Sequence, residues 1–62
     1  MYRYKVYTTI VIKGQIYQHM VIYKSLKEID KDMIRYDTIN RYYEELVKCD
    51  AYHIHIVESY HK

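Results

Sequence analysis

The sequence predicts a small α+β fold in the order strand, strand, helix, strand. Its sheet is three-stranded and mainly antiparallel, with strand order 2-1-3 and one long helix packed on one face. Three observations predict it. Three stretches, Tyr2 to Val11, Gln15 to Tyr23 and Tyr52 to Ser59, alternate between two side-chain sets at the strand period of two. Between the second and third, apolar residues recur at spacings of three and four from Ser25 to Lys48. The only glycine, Gly14, lies where the first two strands must be joined.

The first strand sets Tyr4, Val6, Thr8 and Ile10 against Arg3, Lys5, Tyr7 and Thr9. The second sets Ile16, Gln18, Met20 and Ile22 against Tyr17, His19, Val21 and Tyr23. A two-residue loop would place Arg3 and Lys5 beside Met20 and Ile22. A three-residue loop Ile12-Lys13-Gly14, closed by a bulge at Gly14, pairs even positions with even ones. Because a one-residue slip turns every side chain to the other face, the three-residue loop is the expected one. It sets Val6 opposite Met20 and Tyr7 opposite His19.

In the helical stretch, Leu26, Ile29, Met33, Tyr36, Asn40, Tyr43 and Val47 form one stripe, widened by Ile39 and Leu46. Ser25 with Glu28 has the spacing of a capping box. A helix of this length spans roughly 34 Å, close to a ten-residue strand, so it can run the length of the hairpin. Asp37-Thr38 offers an alternative cap for a second helix. The last strand then returns beside the first and antiparallel to it; the alternative places it beside the second by a right-handed crossover.

Residues 1–62 make a single domain, and one this small buries only ~60% of the surface its unfolded chain exposes. Cys49 is the only cysteine, which excludes an internal disulfide and a Cys-rich zinc site. Self-association, most simply a homodimer, is the remaining common support for so small a core. With no apolar run of membrane-span length and no leader-like N-terminus, a soluble cytoplasmic protein is expected. Ten Tyr without Trp or Pro matches the bias of A/T-rich codons, but that bias does not place the tyrosines. The net charge of +2 is too small to argue for a polyanionic partner alone.

The sheet face away from the helix carries the functional expectation. In the expected register it gathers Arg3, Lys5, Tyr7, Tyr17, His19, Val21, Tyr23, His53 and His55. A solvated antiparallel face is mostly polar, whereas this set is aromatic and aliphatic along its middle. Tyrosines and β-branched residues also suit a plain solvated strand. The set points to a non-enzymatic interaction module, a homodimer or a binder of a larger protein. Small A/T-biased chains of this kind include phage and mobile-element inhibitors of host proteins. The alternative is single-stranded nucleic acid, with Tyr7, Tyr17 and Tyr23 stacking on bases and Arg3, Lys5 and Lys13 following phosphates.

Chemistry at a site is poorly signalled. His53 and His55 share a strand face, but His19 on that face lies two strands away and Glu58 points to the opposite side, so no metal is expected. The same histidines with Arg3 and Lys5 have the residue types of a ribonuclease site, yet a flat sheet offers no pocket for one. A single glycine excludes glycine-rich phosphate loops, and no cofactor is implied.

Overall fold

The computed structural model describes all residues from Met1 to Lys62. Strand β1 (Tyr2–Ile12) turns into β2 (Gln15–Ser25), followed by helix α1 (Lys31–Arg41), a short helix α2 (Tyr43–Leu46) and strand β3 (Ala51–Tyr60). The sheet order is β2-β1-β3, and both pairings of the central β1 are antiparallel. Fold class and strand order agree with expectation. No helix is long and apolar enough to cross a membrane.

The hairpin register differs from expectation by one residue. Ile12 pairs with Gln15, so the loop is the two-residue Lys13-Gly14, and Val6 faces Val21 instead of Met20. Both loop residues have positive φ, 51° and 78°, as a type I′ turn requires. That turn matches the right-handed twist of the strands, which a type I or II turn would splay. The Lys13 N–H also donates to Asp50 Oδ2 at 2.9 Å, tying the turn to the approach of β3. The pattern of β2 is apolar on both sides, so it did not fix the register, and the turn did.

The helix is shorter than expected and broken. Ser25 stays in β2 opposite Tyr2, and its Oγ accepts the Lys27 N–H at 3.1 Å, a local turn in place of a capping box. The cap is Asp30, whose Oδ1 accepts the Asp32 N–H at 2.8 Å. Ile29 before the cap and Ile34 in the first turns join the same apolar cluster, the arrangement of a hydrophobic staple. The break falls at Tyr42, at φ −109° and ψ 23°, rather than near Asp37.

The core lies between this short helix and the sheet. Tyr4, Val6, Ile34 and Ile54 form it, with Tyr2, Tyr23, Ile29, Ile39 and Ile56 packed around them. Tyr4 is fully buried, and its hydroxyl accepts the Ile29 N–H at 2.8 Å, holding the chain where it turns into the helix. Thr8 and Thr38 are buried as well, and Thr38 Oγ1 donates to the Ile34 carbonyl at 2.8 Å. The helix therefore presents Ile34 and Thr38 to the sheet. Most of the expected stripe lies away from the sheet: Leu26, Met33, Tyr36, Tyr43 and Val47 are all 60% exposed or more, while Ile29 and Ile39 of that stripe do pack on the core.

A core of five buried apolar side chains leaves much surface in water. The accessible surface is 4869 Å² for a 7.8 kDa chain, against about 4,400 Å² from the size scaling of compact monomers. The molecule is elongated, 43 × 17 × 12 Å.

Candidate functional site

The register decides which side chains share the open face of the sheet. Tyr4, Val6, Thr8 and Ile10 of β1 are buried under the helix, so Arg3, Lys5, Tyr7, Thr9 and Val11 point the other way. Their partners on β2 are Lys24, Ile22, Met20, Gln18 and Ile16. Their partners on β3 are Ser59, Val57, His55, His53 and Ala51. The open face is thus a three-by-five grid of side chains with nothing in the chain covering it.

Five of the expected site residues are on this face: Arg3, Lys5, Tyr7, His53 and His55. The other four, Tyr17, His19, Val21 and Tyr23, lie on the helix side, correcting the expectation. Two of them, Tyr23 and His19, meet helix residues through their polar tips. The Tyr23 hydroxyl donates to Asp37 Oδ2. His19 Nε2 lies 3.3 Å from Glu45 Oε2, an ion pair whenever the imidazole is protonated, and its ring stacks on Tyr42 with centroids 4.5 Å apart. The Tyr17 hydroxyl donates to Gln15 Oε1 at 2.7 Å. Burial, then the hydrogen bond and charge of Asp37, raise the Tyr23 phenol above its ordinary 10.0, with Arg41 opposing.

In their place β2 brings Ile16, Met20 and Ile22 to the open face, which sequence reasoning assigned to the core. The signal that identifies them is Lys13-Gly14 taken as a complete two-residue turn. The exchange makes the face more apolar than expected. Ile16 is 67% exposed and Met20 51%, with Tyr7, Ile22 and Val57 also exposed. Apolar side chains exposed together on one face, with polar residues around them, are the pattern of an interaction surface.

No protein-family model, curated protein or solved structure matches this chain.

Charge is sorted across the sheet. Arg3, Lys5 and Lys24 gather at one end of the open face, and none of the chain's eight carboxylates is on it. Glu58 pairs with Tyr4 and so lies on the helix side, where Glu28, Asp30 and Asp32 line a groove with it. On the open face the His53 and His55 rings are stacked with centroids 6.3 Å apart, and Tyr7 lies 6.3 Å from His55. His19 is on the opposite side of the sheet, and no three His, Cys, Asp or Glu residues are grouped as metal ligands. Cys49 is half-buried at the end of α2, its Sγ 3.0 Å from the Leu46 carbonyl. The face is flat, with apolar side chains along its middle and cations at one end, an electrostatic pattern complementary to a surface bearing carboxylates.

Proposed function

We propose that this chain is a non-enzymatic protein-interaction module whose open sheet face docks on an apolar, acid-bearing surface of a larger protein. One observation carries the reading. Tyr7, Ile16, Met20, Ile22 and Val57 are exposed together on a face that no element of the chain covers, bordered by Arg3, Lys5 and Lys24. Desolvating such residues supplies affinity, and the cations steer and orient the encounter. A single thiol supports a reducing, cytoplasmic setting. Small size and A/T-coded composition support a phage or mobile-element protein that inhibits or redirects a host protein.

The test compares three immobilised proteins in a lysate of the producing cell: the native chain, Met20→Asp, and Met33→Asp on the far side of the helix. The expected result is a discrete partner retained by the native chain and by Met33→Asp and lost with Met20→Asp. Equal retention by all three would show that the open face is not the docking surface.

Binding of single-stranded nucleic acid is the second reading, favoured by the absence of carboxylates from a face that bears three cations. Its stacking set is reduced, since Tyr17 and Tyr23 are turned toward the helix and Tyr7 alone of the three remains. Fluorescence anisotropy with a labelled oligonucleotide at low salt tests it. No binding there, where phosphate contacts are strongest, would exclude this mode.

A further inference from the structure

The two outer edges of the sheet are not alike. Met1 and His61 exchange backbone hydrogen bonds in line with the β1–β3 register. By the alternation of an antiparallel ladder, the odd residues of β1 therefore bond to β3 and the even ones to β2. On β2 the odd residues answer β1. The N–H and C=O groups of Ile16, Gln18, Met20, Ile22 and Lys24 point away from the sheet, and no side chain or backbone group of the chain meets them.

The free edge of β3 is guarded. Arg35 Nη1 donates to the Ile54 carbonyl at 3.2 Å, and Glu58 sets a half-buried charge on the helix side of that strand. Both are devices that discourage strand addition. The free edge of β2 has none of them: no proline, no bulge, and its single formal charge, Lys24, beside the strand end.

We propose that β2 pairs antiparallel with β2 of a second copy, joining the two sheets into one of six strands. The register follows from the strand itself. Full overlap of Gln15–Ser25 with its symmetry mate centres Met20 on Met20 and pairs Gln18 with Ile22 and Ile16 with Lys24. All of the free N–H and C=O groups of the β2 edge are then satisfied, and no two like charges face each other across the junction. A two-fold axis closes this contact, leaving only the two guarded β3 edges outside, so growth stops at the dimer.

The strand's own pattern supports a second copy as the occupant: Gln15–Ser25 laid against its two-fold mate leaves no outward N–H or C=O group unpaired and opposes no like charges. This inference rests on the backbone edge and stands whether or not the open face docks a protein.

Sedimentation velocity from micromolar to millimolar protein, with residue-resolved amide hydrogen exchange at both limits, tests it. At high concentration the expected mass is twice 7.8 kDa. The Gln18, Met20 and Ile22 amides should slow by at least about tenfold on association. Those of His19 and Val21, already bonded to β1, should be protected throughout. Met20→Pro removes an outward N–H that β1 does not use and should leave a folded 7.8 kDa monomer. Should that variant fail to fold, the exchange pattern of the native chain decides alone. A chain that stays monomeric at millimolar concentration would overturn the proposal. So would a dimer whose Gln18, Met20 and Ile22 amides exchange as in the monomer, the result expected if open faces stack instead.

Discussion

Ile34 and Met33 are neighbours in sequence with opposite fates, and truncating each tests which face of α1 meets the sheet. Ile34 is 2% exposed in the central cluster, whereas Met33 is 66% exposed. Ile34→Ala removes three buried carbons, worth roughly 0.8 kcal/mol each in transfer, and leaves a cavity, for a total of about 3–4 kcal/mol. A domain of 62 residues has only ~3–9 kcal/mol in all, so this one change takes a third of the stability or more. Met33→Ala deletes an exposed side chain and introduces a better helix former, so its effect should stay within about 0.5 kcal/mol. Urea unfolding followed by circular dichroism, at one protein concentration throughout, gives both differences. In thermal unfolding, Ile34→Ala should lower Tm by more than about 12 °C. A loss of 2 kcal/mol or more for Met33→Ala, with less than 1 kcal/mol for Ile34→Ala, would refute the helix phase described here.

Three further perturbations address the turn, the helix entry and the contact of Tyr23 with Asp37. Gly14→Ala puts a β-carbon on a residue at φ +78° and should cost about 1 kcal/mol, whereas Lys13→Asn, at φ 51°, should be neutral or stabilising by about a few tenths; equal effects in urea unfolding would argue against the two-residue turn. Tyr4→Phe withdraws the acceptor of the half-buried Ile29 N–H and should cost about 1 kcal/mol, with faster exchange at the Ile29 amide. Because the Tyr23 phenol is raised, the folded chain keeps that proton after the unfolded chain has lost its own. Stability should therefore fall as pH rises from 10.0 through the folded value. Asp37→Asn should bring the Tyr23 titration, followed by NMR of the ring, down toward 10.0; an unmoved titration would mean the two groups do not interact.

How much of this was legible in the sequence depended on whether a pattern had one solution. The three strands were legible because each is a β-branched and aromatic run set off by turn or helix signals, and their order because β3 returns antiparallel beside β1. The register was not, since β2 is apolar at both Ile16, Met20, Ile22 and Tyr17, Val21, Tyr23. Tyr23 and His19 suit the helix side because their polar tips reach Asp37 and Glu45 there. The helix phase was hidden for a related reason. Its buried side, Ile34 and Thr38, contains one apolar residue and a threonine, while the more regular repeat of Met33, Tyr36 and Tyr43 faces water. Ser25 with Glu28 resembled a cap, but Ser25 is held in β2 by its pairing with Tyr2, and the cap passed to Asp30. The candidate face kept its β1 and β3 members, Arg3, Lys5, Tyr7, His53 and His55, and exchanged its β2 members through the single-residue shift at Gly14.

The docking role of the open face is tested most directly by site-specific photo-crosslinking. A photoreactive residue replaces Gln18, exposed on the open face in β2, or Tyr36, on the water-facing side of α1, in two otherwise identical proteins. In a lysate of the producing cell, the account predicts one discrete adduct with a larger protein from position 18 and none from position 36. An adduct formed from position 36 alone would contradict it and move the docking surface to the helix.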